Sequence, residues 1–454
     1  MKQMESFEEK HQRMTTMPVP RLVCSLAVPT IASMLITSVY NMADTYFVGK
    51  LGTSATAAVG VALPLMCIIQ ALGFTFGMGS GNYVSRLLGQ KDIEKAERVA
   101  TTGFLTTIGL GVILMLIGQC LVSSLITILG ATDTIAPYAK SYIRLILIGM
   151  PWMAGSFVLN NLLRYQGDAF FGMIGIGAGG LLNILLDPLF IFIFNLGTSG
   201  AALATILSQF ISFCMLLYFC TRGDNIRIHI KRFTPRWEIY KEILRGGLPS
   251  FYRQGLASIA TIILNTCARP YGDAAIAAMS IVTRVMQFAL SALLGFGQGF
   301  QPVCGFNYGA KQYKRVLEAF WFCVRVSIIV LVVIASLGFM NAPEIVALFR
   351  NDPEVIAIGT KALRIQCITF PLSAWIVMNN MLMQTIGKGT KASILALARQ
   401  GLFFIPIILF ASSQFGLIGV EVSQSLADVC AFLLATPLGL SVVKEIKRAA
   451  YKED

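Results

Sequence analysis

The residues from Leu105 to Leu129 read LTTIGLGVILMLIGQCLVSSLITIL and carry no charged side chain. A helix needs about 20 apolar residues to cross the hydrocarbon core of a membrane, so this stretch is long enough. It lacks the alternating polarity of a membrane β-strand, and lipid offers the backbone no hydrogen-bond partners. The stretch therefore predicts a transmembrane helix.

The composition of the whole chain agrees with this prediction. The 454 residues are 56 % hydrophobic and 13 % charged, with a mean hydropathy of +0.71, whereas soluble domains carry charge on about a quarter of their residues. The ten cysteines are scattered without a CxxC pair, which indicates small buried side chains rather than disulfides or metal ligands. The N-terminal segment before the first apolar run is polar and predicts no cleavable signal peptide. We expect an all-α integral membrane protein, not a soluble enzyme or a nucleic-acid binder.

Apolar windows predict twelve transmembrane helices, which place both termini on one side of the membrane. The spans lie near 21–48, 54–80, 99–125, 138–163, 169–194, 198–220, 244–268, 274–303, 318–340, 358–384, 392–414 and 416–441. The side of the termini carries 25 Lys and Arg, including Arg164 in the loop between spans 4 and 5, against seven on the other side. Because positive loops stay inside, both termini are predicted to be cytoplasmic, in a multi-pass protein of the cell (inner) membrane.

The chain contains an internal repeat, in which landmark residues of the first half return in the second half at one constant spacing. The matching pairs are Pro29/Pro249, Gly52/Gly272, Arg144/Arg364, Pro151/Pro371 and Gly167/Gly387. Six spans per repeat is an even number, so the two repeats are parallel and form two pseudo-symmetric six-helix bundles around a cleft. The predicted organisation is an N-terminal arm (1–20), a first bundle (21–221), a basic linker (222–243), a second bundle (244–442) and a tail (443–454). This architecture is typical of alternating-access carriers.

Two carboxylates lie inside spans of the first bundle, where buried charge is costly and often functional. Asp44 in span 1 and Asp187 in span 5 are both expected about 8–10 Å below the outer surface. Asn183 shares a helix face with Asp187, and Thr205 in span 6 lies at a matching depth. This all-oxygen set suits a hard cation such as Na⁺, or a proton shared by the two acids. The alternative is that these groups only join helices by hydrogen bonds.

Three motifs resemble the multidrug and toxic compound extrusion (MATE) family. They are the stretch from Asn41 to Gly52, the segment from Asn183 to Pro188 and the sequence GFNYGA that begins at Gly305. The resemblance covers the chain from span 1 to span 12 and implies cation-coupled export of organic cations and related amphipathic drugs. It also implies that Asp44, Asn183, Asp187 and Thr205 form the coupling site for Na⁺ or H⁺.

Other polar residues of the spans are candidates for the drug cleft, with helix–helix contact as the alternative. They are Gln70, Arg253, Gln254, Gln287, Gln298, Asn379, Asn380 and Gln384. Pro29 and Pro188 are expected to bend their helices. Some family members carry further carboxylates in spans 7 and 10, but this chain does not. Asp428 in span 12 is instead expected to pair with an arginine such as Arg284, and the alternative is that it substitutes for those carboxylates.

The predicted function is secondary active export, in which amphipathic or cationic drugs leave in exchange for inward Na⁺ or H⁺. The alternative is a flippase for lipid-linked oligosaccharides, for which Arg253, Arg284 and Arg325 would contact an anionic pyrophosphate. No nucleophile–base pair or metal-ligand set predicts an enzyme, and no selectivity filter predicts a channel. No cofactor is expected beyond the coupling ion. The expected partners are drugs and the lipid bilayer, and the expected oligomeric state is a monomer.

Overall fold

A computed structural model describes residues 6–129, 133–222 and 225–452, and within these ranges the regular structure is helical without strands. The first half contains α1 (Phe7–Thr16), α2 (Val19–Gly49), α3 (Thr53–Gly89), α4 (Ile93–Cys120), α5 (Val122–Ile128), α6 (Ala136–Tyr165), α7 (Ala169–Pro188) and α8 (Gly197–Thr221). The second half contains α9 (Trp237–Ala268), α10 (Asp273–Gly309), α11 (Tyr313–Met340), α12 (Ala342–Phe349), α13 (Pro353–Thr369), α14 (Leu372–Thr385), α15 (Gly389–Leu397) and α16 (Ile405–Ala450).

Nine helical stretches of the described residues are long and apolar enough to cross a membrane, and α13 with α14 forms a tenth that is bent by 54°. One of the nine, Gly389–Ala450, contains two crossings, because the chain reverses at Gly416 (φ 61°, ψ −138°). The reversal brings Arg399 Nε to 2.8 Å from Asp428 Oδ1, whereas a straight helix would separate them by about 44 Å. With the more polar α9, the crossings number twelve, so the predicted all-α membrane fold is confirmed.

The repeat is visible in the helix boundaries. Helices α3 and α10 begin and end at positions that the spacing of the repeat makes equivalent, and so do α4 and α11. The turns before α3 and α10 both need a glycine, because Gly52 and Gly272 have φ values of 111° and 91°. The two halves therefore share one backbone plan, as the sequence predicts.

The two halves differ where each carries a proline in the fourth span. Pro151 lies inside α6, which is continuous, whereas Pro371 separates α13 from α14 at the 54° bend. Pro29 also lies inside a continuous helix, α2, so its bending role stays a prediction. Pro188 is the last residue of α7, and the chain continues in a wider π-type turn over Leu189–Ile193.

The predicted N-terminal arm contains a short helix, α1, that packs against the transmembrane helices. It begins with a capping box, in which the Ser6 hydroxyl accepts from the Glu9 backbone N–H and the Glu9 carboxylate accepts from the Ser6 backbone N–H. These hydrogen bonds lower the pKa of Glu9 from its usual value. The side chains of Lys10 and Met14 are buried. The helix lies on the face of the protein where α2 begins and α16 ends, which we name the terminal face.

The halves pack together along a seam on the terminal side, where α2 and α3 of the first half meet α9 and α10 of the second. Glycines permit this approach: a Cβ on Gly247 would lie 1.9 Å from Thr75 O, and one on Gly299 would lie 2.4 Å from Ala27 Cα. The other seam pairs include Gly79/Ile243, Gly89/Phe306, Gly295/Ile31, Gly305/Ser85 and Gly309/Arg86.

The seam ends near the middle of the transmembrane helices. Gln254 Nε2 donates to Gln70 Oε1 at 2.8 Å, and one turn further Ser258 Oγ lies 3.4 Å from Cys67 Sγ. Within the described residues, the hydrogen bonds between the halves run from the Ser258/Cys67 contact to the terminal face. The predicted cleft between the halves would therefore open toward the opposite face of the membrane.

Candidate functional site

A small cavity of about 40 Å³ lies in the first half, toward the opposite face from the seam. Its polar lining is Tyr40, Asn41, Asp44, Gln70, Asn183, Thr205 and Gln209, and its other lining residues are Met66, Ile69, Met153 and Phe157. A water molecule needs about 10–15 Å³ of such space, and drug-sized ligands need about 300 Å³ or more. The cavity can therefore hold an ion or a few waters, but not a drug.

The structure brings together three of the four predicted coupling residues through one amide. Asn183 Nδ2 lies 3.4 Å from Asp187 Oδ1 and 3.4 Å from Thr205 Oγ1. Asn183 and Asp187 are one turn apart on α7, and the Thr205 hydroxyl donates to the carbonyl of Ala201 on α8 at 3.0 Å. The fourth residue, Asp44, reaches the same cavity from α2.

Two carboxylate oxygens of this site are buried without a partner. Asp44 Oδ1 and Asp187 Oδ2 have no hydrogen-bond partner in the part of the chain that the structure describes. The Asp187 side chain is fully buried, and Asn183 is 2 % exposed. A buried carboxylate oxygen needs a proton, a cation or a hydrogen-bond donor to offset its lost hydration. The site is therefore chemically suited to take up a cation or a proton.

The backbone beside Asp187 departs from a regular α-helix. Pro188 has no N–H to donate, and in the following turn the Phe194 N–H bonds to Leu189 O at 2.9 Å, five residues back. Such π-type turns are frequent at functional sites. The Asp187 carboxylate thus lies at the junction of two helix geometries.

The sequence reasoning missed several lining residues of this cavity, among them Tyr40 and Gln209. A signal for both was present. Tyr40 precedes Asp44 by four residues, and Gln209 follows Thr205 by four, so each shares a helix face with a predicted site residue.

Of the predicted cleft residues, Gln70 and Gln254 join the halves at the cleft end of the seam, and Gln70 also lines the small cavity. Arg253 is half-buried on α9, beside Gln254, and Gln287 is exposed on α10.

The other four predicted cleft residues, Gln298, Asn379, Asn380 and Gln384, are buried between helices. Asn379 Nδ2 donates to Trp375 O at 2.9 Å, and Asn380 Nδ2 donates to Ala392 O at 2.7 Å. Gln384 Nε2 bonds to Ser250 Oγ at 2.9 Å. In this conformation Gln298, Asn380 and Gln384 join helices, whereas Asn379 bonds within α14. The role of all four as cleft lining stays a prediction.

Arg164 corrects the expectation of a loop charge between spans 4 and 5. It lies in the last turn of α6 and is 2 % exposed. Its guanidinium donates to Gln298 Oε1 across the seam and to Asn161 Oδ1 at 2.5 Å. It forms no ion pair with any carboxylate of the described residues, and its Nε has no partner among them.

The two buried carboxylates of the second half, Asp428 and Glu421, are paired with cations. Asp428 bonds to Arg399, at 2.8 Å between Nε and Oδ1, and not to Arg284, which is exposed. Glu421 lies 3.0 Å from Lys361 Nζ. The second-half positions equivalent to Asp44 and Asp187 are Leu264 and Ile407, so neither carries a carboxylate.

A larger cavity of about 310 Å³ lies where α3, α4 and α9 meet. Its lining is apolar apart from Thr75, whose hydroxyl donates to Ala71 O at 2.6 Å. None of the predicted cleft residues lines it, so it differs from the drug cleft that the sequence predicts.

Comparison with known proteins shows the same duplication. The MatE family model matches residues 29–189 and 249–410, two segments that begin at the equivalent prolines Pro29 and Pro249. The multidrug export protein MepA of Staphylococcus aureus is 30 % identical over 425 residues, which cover 92 % of this chain and 93 % of MepA.

Solved structures agree over nearly the full length. A crystal structure of MATE in complex with MaL6 superposes with a TM-score of 0.91 at 27 % identity, covering 97 % of this chain and 99 % of the other. An outward-facing multidrug resistance MATE transporter of the MOP superfamily gives 0.89 at 28 % identity, with 96 % and 99 % covered. A duplicated fold of twelve crossings, matched in both halves, identifies the chain as a multi-pass membrane protein that belongs to the MatE family of multidrug efflux transporters.

Proposed function

We propose that this protein is a secondary active exporter, in which a cation entering the Asp44/Asp187 site drives drug release toward the opposite face. The observation that carries the proposal is the pair of buried carboxylate oxygens, in one half of the protein, that have no partner within the described ranges. Both Na⁺ and H⁺ can meet their need for positive charge.

Coupling follows from the charge of the site. An unoccupied pair of carboxylates is costly when it is buried, so the empty site favours a conformation in which water or a cationic drug reaches it. A bound cation neutralises the pair and removes that cost. Occupancy of the site thus shifts the balance between conformations, as alternating access requires.

The conformation described here fits one end of this cycle. The halves are packed on the terminal face, and we propose that the cleft opens on the other. We propose that the terminal face is cytoplasmic, because it carries most of the loop Lys and Arg. The open cleft then faces outward, in the cell membrane of a bacterium, and the exporter works as a monomer.

The cargo is proposed to be amphipathic and often cationic, in line with the relatives that are named multidrug export proteins. Asp44 and Asp187, each with one oxygen that has no partner among the described residues, attract a cation and repel the pyrophosphate of a lipid-linked oligosaccharide. This electrostatic argument favours drug export over the flippase alternative.

The test is dye efflux from proteoliposomes under separately imposed Na⁺ and pH gradients. Wild-type protein should export ethidium in response to at least one of the two gradients, and the gradient that works identifies the ion. The variant Asp44→Asn should lose the response, because an amide has no charge to be neutralised. It should remain folded, since Asp44 is only half-buried.

The matched control is Asp273→Asn, which removes an exposed carboxylate in the first turn of α10. This variant should retain wild-type efflux. Gradient-driven efflux by Asp44→Asn at the wild-type rate would contradict the assignment of the coupling site. Absence of efflux by wild-type protein under both gradients would contradict the proposed function itself.

A further inference from the structure

We propose that α1 is a clasp that holds the two halves together on the terminal face and must release one of them during each transport cycle. Helix α1 precedes the first transmembrane helix and contacts both halves across the seam. The inference rests on the proposed alternating-access cycle. It concerns a part of the chain outside the coupling site and outside the cleft.

Helix α1 binds the first half through a buried ion pair. Lys10 Nζ lies 2.5 Å from Asp168 Oδ2, with only 4 % and 8 % of the two side chains exposed. The same ammonium donates to Asn225 Oδ1, beyond the end of α8. One turn along α1, Arg13 Nη2 donates to Gly167 O at 3.1 Å. These contacts tie α1 to the connections that follow α6 and α8.

Side chains of the second half bind backbone oxygens at the C-terminal end of α1. Asn307 Nδ2 on α10 donates to Met14 O at 3.0 Å, and Arg315 Nη2 on α11 donates to Met17 O at 2.7 Å. Arg315 Nε also donates to Asn307 Oδ1 at 2.9 Å, which links the two anchors.

One residue of α1 lies over the line where the halves meet. The ring of His11 is 6.4 Å from the ring of Phe306 on α10, and its Nε2 is 3.3 Å from Gly89 O on α3. Gly89 and Phe306 are themselves a seam pair, since a Cβ on Gly89 would lie 2.1 Å from Phe306 O. The clasp therefore crosses the seam at a point where the backbones of the halves touch.

Opening of the terminal face moves the second-half anchors away from the first-half anchors. A ten-residue helix cannot stretch to follow both, so one set of contacts must break. Each half contributes at least one charged anchor in a buried or half-buried position, Lys10 with Asp168 on one side and Arg315 on the other, and hydrogen bonds to charged groups are the stronger class. The clasp thus favours the conformation that is closed on the terminal face.

Cys304 is a native reporter of that closure. It is fully buried on α10 beside Gly305, which meets Ser85 across the seam. Cys367 is a reference for the fold of the second half, because it is buried on α13 and packs against Gly338 of α11. Both cysteines are followed by their rate of alkylation with N-ethylmaleimide, measured by mass spectrometry of the full-length protein in liposomes. The rate at Cys304 reports closure of the terminal face, and the rate at Cys367 reports the fold of the second half.

Two variants release the clasp from opposite sides. The double variant Lys10→Met/Asp168→Asn removes the first-half ion pair without leaving a buried charge unpaired, and Arg315→Gln weakens the second-half anchor. Each should raise the alkylation rate of Cys304 roughly tenfold and leave that of Cys367 unchanged. The control is Glu8→Gln on the same helix. Glu8 is 76 % exposed in a 3.5 Å pair with Lys91, so its loss should change neither rate.

Wild-type alkylation of Cys304 in both releasing variants would overturn the proposal. A parallel rise at Cys367 would overturn it as well, because α1 would then stabilise the whole fold rather than the closure. Alkylation of Cys304 does not depend on transport. The alkylation assay therefore tests the clasp proposal, and the efflux assay separately tests the exporter proposal.

Discussion

Replacing Gly247 by alanine should open the seam. A Cβ at this position would lie 1.9 Å from the backbone oxygen of Thr75, whereas ordinary contact begins near 3.4 Å, so α9 and α3 must separate by about 1.5 Å. A backbone oxygen cannot rotate away as a side chain can. Overpacking of this kind costs about 3 kcal/mol. The higher helix propensity of alanine does not offset this cost, because α9 is helical in both the closed and the open conformation. The closed conformation should therefore lose about 3 kcal/mol relative to the open one, a factor of about 150 in their population ratio.

The assay is alkylation of Cys304, followed by dye efflux from the same liposomes. Gly247→Ala should expose Cys304 and slow efflux, because the closed conformation is part of the proposed transport cycle. The control is Gly255→Ala, eight residues further along α9, where no described residue has an atom within 4 Å of the added Cβ. Equal alkylation and efflux in the two variants would refute the view that close backbone packing closes the terminal face.

Three further predictions concern the coupling site, the second half and the last hairpin. Thr205→Val should weaken the cation dependence of efflux for every drug alike, measured as efflux against the imposed gradient, because the site loses an oxygen. Arg399→Met should lower the unfolding midpoint in detergent by more than Arg399→Met/Asp428→Asn does, since the single variant leaves a buried carboxylate unpaired at a cost of about 3–5 kcal/mol. Gly416→Ala should cost about 1–3 kcal/mol of stability by the same measurement, because its φ of 61° strains any L side chain, whereas Gly109→Ala in regular helix should not.

The helical framework is predictable because it depends on local properties of the sequence. Apolar length alone locates most spans, and glycines at the spacing of the repeat, such as Gly52 and Gly272, mark equivalent turns that require positive φ. The helix of the N-terminal arm could also have been predicted, since Ser6 and Glu9 have the spacing of a capping box. What local pattern cannot supply is the identity of the helices that pack together.

The buried polar residues show this limit. Gln384 and Asn380 lie in an apolar span, which is compatible with facing either a cleft or another helix. Gln384 bonds to Ser250 and Asn380 bonds to Ala392, so both side chains face another helix. Tertiary packing sets these partners. The sequence predicts a loop position for Arg164, because a charge at the end of a span usually reaches water. Its burial depends on Gln298, which belongs to the other half of the chain.

The buried guanidinium of Arg164 has a thermodynamic consequence for the closed seam. The closed seam surrounds this cation with two amide oxygens and the ring of Tyr165, 5.1 Å away, but with no carboxylate from the described residues. Neutral groups restore only part of the hydration that a buried charge loses, so Arg164 carries a free-energy cost in this conformation. In the proposed transport cycle, opening of the terminal face would return water to the cation and remove that cost. Arg164 would then favour the open conformation from within the seam itself.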